Sequence, residues 1–139
     1  MDSVHYQLMA AHLTLMRRVN DVTRKLGLTP GQPKVIEFLN AHGEADQSQI
    51  AAGCLIEKAT IGGILARMEQ AGLISRRRSD ADRRAILVSL TDRGRELAVD
   101  VHAAFEESER PIREALTDQQ IAELDSLLTR LRAALANAD

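Results

Sequence analysis

ISRRRSDADRRAILVSL, residues 74–90, passes from a basic segment through a polar break to an apolar one. Residues 73–78 and 85–90 read as two β-strands, the second rich in β-branched and aliphatic side chains and placing Ile86, Val88 and Leu90 on one face. Between them, Ser79-Asp80-Ala81-Asp82-Arg83 has the small polar composition of a turn. The stretch predicts a basic β-hairpin. Extended to residue 95, it holds seven arginines, Arg76, Arg77, Arg78, Arg83, Arg84, Arg93 and Arg95, against Asp80, Asp82 and Asp92, a surplus of +4. Because the whole chain carries −2, the remainder carries −6. A cationic patch on an acidic body is an oriented footprint for a polyanion, and it argues against a protein that coats nucleic acid indiscriminately.

Upstream of the hairpin, Ile61, Ile64, Leu65 and Met68 recur at the spacing of a helix over 58–71, and Gly72 suits a left-handed cap. A shorter helix precedes it. Asp46 can accept from an orphan amide there, Gln49 can reach back in a capping box, and Ile50, Ala51 and Cys54 form the inner face. A short helix, a tight turn and a longer helix make the helix-turn-helix pattern. Joined to an arginine-rich hairpin, it offers double-stranded DNA two probes: the longer helix for the major groove and the wing tip for the neighbouring minor groove. Arg76, Arg77, Arg78 and Arg83 are expected to meet phosphates, each neutralised phosphate adding ~0.9 to the salt slope. An isolated charge run is more often a solvated, salt-bridged face, but this one directly follows a helix-turn-helix.

Farther out, Leu8, Leu15, Val19, Val22 and Leu26 mark a first helix over 4–26. Thr29-Pro30-Gly31-Gln32 has the form of a capping box with proline in the first turn of a second helix, which carries Val35, Ile36, Phe38 and Leu39. After the hairpin, Thr91 caps a fifth helix with Leu97, Val101 and Phe105 inward, and Pro111 is expected to interrupt it. Thr117 and Gln120 open the last helix as a capping box, with Leu116 and Ile121 as a hydrophobic staple. Along it Ile121, Leu124, Leu128, Leu131 and Leu135 form a narrow apolar seam. Such a terminal helix needs a partner, and a second copy is the simplest by symmetry. The expected architecture is mainly α with a small β-hairpin: a winged helix-turn-helix of about six helices, forming an obligate-type homodimer through its N- and C-terminal helices.

The 139 residues fit a single domain, 1–139, and 45% hydrophobic with 27% charged content is ordinary for a soluble fold. The start of the chain lacks a basic segment followed by an unbroken apolar run, and no segment reaches the ~20 apolar residues needed to span a bilayer. A cytoplasmic protein without a membrane partner is expected. One cysteine, Cys54, leaves no internal disulfide and no multi-cysteine zinc site. No nucleophile elbow, phosphate-binding glycine loop or histidine–carboxylate cluster at catalytic spacing is present, so the expectation is a binding protein and not an enzyme, with no cofactor and no metal.

At this point the chain resembles the MarR (multiple antibiotic resistance) regulators, dimeric winged-helix proteins that usually repress transcription. The resemblance spans nearly the whole chain and is carried by Leu28-Thr29-Pro30-Gly31-Gln32, Ile50-Ala51, Arg67-Met68-Glu69 through Gly72-Leu73-Ile74, and Asp82-Arg83-Arg84-Ala85 to Leu90-Thr91-Asp92-Arg93-Gly94. It implies that Arg84 enters the minor groove, that Asp82 holds it there by an ion pair, and that the fourth helix is the recognition helix, with Arg67 near the backbone or a base. Ser48 and Gln49 at the start of the third helix then join the DNA-facing set. The resemblance also implies a dimer built from the first, fifth and sixth helices, with Leu8, Leu15, Ile121, Leu124, Leu128 and Leu131 at the interface. Residues 1–28 and 92–139 would be dimerisation segments and 29–91 the DNA-binding lobe. Small effectors of such regulators often bind between these parts, which here points to His12, Met16 and Phe38.

The chain departs from that pattern at Gly62-Gly63, where other members present polar or basic side chains. Two helix-interior glycines cost ~1 kcal/mol each relative to alanine and offer no side chain for base readout. Either the backbone approaches DNA closely there, or specificity has moved to Lys58, Thr60, Arg67 and the wing. Cys54 is either a redox sensor or a core residue, and no second cysteine is present to resolve a sulfenic acid. His5, His12, His42 and His102 lack a close metal-ligand spacing. The function expected is that of a sequence-specific transcriptional regulator, a repressor on a pseudo-palindromic operator released by a small molecule; the alternative is a winged-helix protein-interaction module.

Overall fold

The computed structural model describes residues 3–138; residues 1, 2 and 139, at the ends of the expected dimerisation segments, lie outside them. In chain order the elements are α1 (Val4–Arg24), α2 (Gln32–His42), β1 (Ala45–Asp46), α3 (Gln47–Cys54), α4 (Lys58–Gln70), β2 (Ile74–Arg78), β3 (Ile86–Leu90), α5 (Asp92–Ala115) and α6 (Asp118–Ala136). The strands form one antiparallel sheet in the order β1-β3-β2, with Ile74 opposite Leu90, Arg78 opposite Ile86 and Ala45 opposite Val88. This is a winged helix-turn-helix. Its α3 and α4 bend by 108° at their junction, within the range of that motif.

The apolar spacing that predicts these helices also builds the core. Ile50, Ala51 and Cys54 of α3 and Ile61, Ile64, Leu65 and Met68 of α4 are all buried, together with Val35, Ile36 and Leu39 of α2 and Val88 and Leu90 of β3. Each fully buried side chain of this size stabilises the fold by roughly 1.5–3 kcal/mol. The two capping boxes are present: Asp46 Oδ1 accepts from Gln49 N at 2.8 Å, and Thr117 Oγ1 accepts from Gln120 N at 3.2 Å.

Four details differ from the sequence reading, each for a physical reason. The Thr29–Gln32 segment forms only half a capping box, with Gln32 Oε1 accepting from Thr29 N; the helix starts later, behind Gly31 at φ 93°, and Pro33 is its first-turn proline. The two-residue strand β1 carries no periodicity to read. Ile86 is 39% exposed, because the inward face of β3 is covered only from Val88 onward. Pro111 does not end α5. The Glu107 carbonyl, which loses its N–H partner at Pro111, accepts instead from Arg18 Nη2 at 3.5 Å, while Arg18 Nε donates to the Ser108 carbonyl at 3.2 Å. A side chain from α1 thus satisfies the break that the proline makes.

The hairpin's mouth is fixed where α5 begins. Thr91 N donates to the Leu73 carbonyl at 3.0 Å, Thr91 Oγ1 donates to the Gly72 carbonyl at 2.6 Å, and Arg93 Nη1 donates to the Ala71 carbonyl at 2.8 Å. These groups satisfy the carbonyls of the turn that follows α4, whose own last carbonyls are closed by the N–H groups of Ala71, Gly72 and Leu73, and they set a cation near the negative end of the helix dipole. The backbone crosses so tightly that a Cβ at Gly94 would overlap the Leu73 carbonyl oxygen.

The helix α5 also packs on α1 and α2. At the α2 contact His102 sits between two carboxylates, with Nδ1 3.2 Å from Glu37 Oε1 and Nε2 3.1 Å from Glu106 Oε1. Hydrogen bonding and charge from Glu37, and then the Glu106 charge, hold the imidazolium above the ordinary histidine value of about 6.5. A raised folded-state pKa contributes stability that is complete below the unfolded value and is lost as pH rises through the folded one. Urea unfolding from pH 5.5 to 9 should therefore show the wild type more stable than His102→Gln at the acid end, with the difference fading as pH rises; a difference that stays constant with pH would refute this linkage.

Candidate nucleic-acid interface

The predicted wing arginines separate into two groups. Arg76 lies on the face of β2 turned to α4, its side chain only 24% exposed, and Nε is a buried donor 3.5 Å from Glu69 Oε1, an ion pair without hydrogen-bond geometry. Arg77 makes a bidentate pair with Glu44, Nη2 to Oε1 at 2.8 Å and Nε to Oε2 at 3.1 Å. Both are committed within the protein, which corrects the expectation that they face phosphates: for these two the salt-bridged reading holds. Arg78 Nη1 donates to the Arg83 carbonyl at 2.8 Å and braces the loop. Arg83 is exposed and, among the described residues, has no ionic partner.

Arg84 stands at the tip, its side chain 95% exposed. Asp82 fixes its position twice: Oδ1 accepts from Arg84 N at 3.0 Å and lies 3.6 Å from Nε. The loop beneath is folded on Ser79, whose Oγ accepts from Ala81 N and Asp82 N at 3.2 Å while its N–H donates to the Ala85 carbonyl. A guanidinium that is permanently charged, weakly hydrated and held away from the body suits a narrow anionic cleft. Across from it lies a groove of about 460 Å³, walled by Asp46, Gln47 and Ser48 at the start of α3 and by Asp82, Arg84 and Ile86 of the wing. Ser48 faces this groove. Gln49 is exposed but its Oε1 accepts from Asp46 N at 2.9 Å, so part of its capacity is used in capping.

On α4, Lys58, Thr60, Gly63 and Arg67 are exposed and Gly62 is half-buried. A Cβ at Gly62 would sit 3.5 Å from Gln47 Nε2, and one at Gly63 would sit 3.4 Å from Nη1 of Arg67, whose guanidinium folds back along the helix. Neither glycine is demanded by packing. Gln47, absent from the sequence-predicted set, is thereby placed between α4 and the groove; its only local signal is that it follows the Asp46 cap.

The three residues predicted for an effector do not converge. A cavity of about 190 Å³ between α1, α2 and α5 is lined by Met16, Val19, Asn20, Lys34 and Phe105 among others. His12 is exposed outside it, and Phe38 stacks on His42 at 4.4 Å with its ring against Gly53, where any Cβ would collide with it. Phe105 takes the place expected for Phe38. Cys54 is buried, its Sγ donating to the Lys34 carbonyl at 3.4 Å, and burial raises its thiol pKa, which favours packing over redox sensing.

A model of the MarR family matches residues 26–85. The regulator PecS of Dickeya dadantii (strain 3937) is 30% identical over 128 residues, 90% of this chain and 77% of that protein. The chain belongs to the MarR family. Among solved structures, the transcriptional repressor CouR bound to a 23-mer DNA duplex is 27% identical with a TM-score of 0.85, covering 94% of this chain and 93% of that one. NadR in complex with 4-hydroxyphenylacetate is also 27% identical, with a TM-score of 0.80 and the same coverage. In this MarR-family transcriptional regulator two successive positions in the middle of α4, Gly62 and Gly63, carry no side chain.

Because both glycine positions have room, Gly62→Ala and Gly63→Ala should each stabilise the protein by about 1 kcal/mol in urea unfolding. A loss of stability in either would mean that the fold itself requires the glycine.

Proposed function

We propose that this MarR-family regulator represses transcription by binding double-stranded DNA as a homodimer, with α4 in the major groove and the Arg84 tip in the adjacent minor groove. The observation that carries the reading is Arg84 itself, fully presented to solvent and held by Asp82 opposite the start of α3. Residues 29–91 form the DNA-binding lobe, in which Lys58, Thr60 and Arg67 flank the Gly62-Gly63 face while Ser48, Gln49, Arg78 and Arg83 supply contacts to the sugar–phosphate backbone. The structure leaves the sixth helix bare: no α6 residue is buried, and Leu124, Leu128 and Leu135 are exposed along one seam. With Ile121, Leu131 and, on α1, Leu8 and Leu15, that seam is the dimer interface. The α1/α2/α5 cavity, beside that interface, is the place for a small effector, with Met16 and Phe105 as walls and Lys34 as its cation. The protein acts in the cytoplasm as a binding protein without catalytic turnover.

Gel-shift or anisotropy titrations on the DNA flanking its own gene should give an affinity that falls steeply with salt. Arg84→Ala should weaken it by at least about fivefold, since one well-placed arginine contact is worth roughly 1–3 kcal/mol. Salt-insensitive, sequence-blind association unaffected by Arg84→Ala would replace this reading with that of a protein-interaction module.

A further inference from the structure

We propose that Glu44, outside the DNA-facing surface, is a positioning residue for the wing, setting through Arg77 the distance between the Arg84 tip and the start of α3; this rests on the DNA-binding reading above. In the sheet β3 is central, and Arg77 of β2, Leu87 of β3 and Asp46 of β1 stand in register. Glu44 immediately precedes β1. To reach it the Arg77 side chain spans the central strand and closes a two-pronged pair at 2.8 and 3.1 Å. Only a guanidinium makes that parallel fork, and the fork fixes orientation as well as distance. Asp80 Oδ2, 3.9 Å from Arg77 Nη1, adds a second carboxylate on the loop side.

This tie sits where the sheet is weakest. The strand β1 has two residues, so two strand pairs join the segment ahead of α3 to the wing. The wing's mouth is anchored at α5 and its tip is folded on Ser79, but among the described residues Arg77–Glu44 is the one ion pair linking β2 to the β1 segment. Two residues after Glu44 begins the wall made by Asp46, Gln47 and Ser48, and seven after Arg77 stands Arg84, so the pair joins both sides of the 460 Å³ groove near their roots. A minor-groove probe and a helix start that must meet one duplex together need this spacing set before binding, or ordering it costs affinity.

The opposite role is distinguishable. If Glu44 only masked Arg77, removing the carboxylate would free a cation and raise affinity. The protein is titrated with a fluorescein-labelled duplex from the DNA flanking its own gene. Wild type is compared with Glu44→Gln, the charge-swapped Glu44→Arg/Arg77→Glu, and Arg84→Ala. Wing geometry is read without DNA from spin labels at Ala52→Cys and Ala81→Cys in a Cys54→Ala background. Glu44→Gln should weaken binding about five- to tenfold and broaden the label–label distance distribution, and the charge swap should restore both. Unchanged or tighter binding by Glu44→Gln, or an unaltered distance distribution, overturns the positioning role. If Arg84→Ala also leaves binding intact, the DNA-binding reading itself has failed; if Arg84→Ala weakens binding while Glu44→Gln does not, only the role of Glu44 has.

Discussion

The backbone crossing at Gly94 and Leu73 is the constraint on which the rest of the molecule depends. There is no space for a side chain between the first turn of α5 and the Leu73 carbonyl, and Thr91 and Arg93 donate to the carbonyls of the turn, Ala71 to Leu73, by which the chain leaves α4. One junction therefore sets three directions at once: where α4 stops, where both strands of the wing leave the core, and where α5 departs toward α1 and α2. The roots of α4 and of the wing are held to each other, which on the proposed reading fixes the directions of the two DNA probes together. Charge differences at the tip then act from a fixed geometry.

The parts readable from the chain are those written in local terms. The spacing of Ile61, Ile64, Leu65 and Met68 and the capping boxes at Asp46 and Thr117 lie within a few residues and stand as expected; the Asp82–Arg84 pair, which only the family resemblance implied, is present too. What could not be read depends on partners far away in sequence. The helix survives Pro111 because Arg18, about ninety positions earlier, takes the freed carbonyl. Arg77 looks like a phosphate ligand until Glu44, thirty-three positions upstream, is brought beside it. The family resemblance points to Phe38 for an effector, but Gly53 on α3 gives its ring a flat seat elsewhere, and Phe105 faces the cavity. The strand β1 is too short to leave any pattern and exists because β3 offers it an open edge.

Sorting the wing's charges changes what the hairpin can do. With Arg76 half-buried against Glu69 and Arg77 paired to Glu44 at the surface, the cations of the hairpin without such a carboxylate partner on the body are Arg78, Arg83 and Arg84, on a body otherwise acidic. Fewer free arginines mean a smaller non-specific salt-dependent grip and a larger share of binding from position. The outer face of α4 bears Ala59, Gly63 and Ala66, a surface of backbone and methyl groups with few hydrogen-bond donors. On the proposed reading, discrimination would then fall on Lys58, Thr60 and Arg67 at the flanks and on minor-groove width at Arg84, a form of shape readout.

Two copies joined through α1, α5 and the bare seam of α6 would place two such interfaces on one side of a duplex, their recognition helices about one DNA turn (~34 Å) apart. Hydroxyl-radical footprinting on the DNA flanking the gene tests this mode most directly. Two protected half-sites of matching sequence, one turn apart and each with a minor-groove footprint that disappears in Arg84→Ala, are predicted. A single uninterrupted footprint, or protection that is unchanged without the arginine, would contradict it.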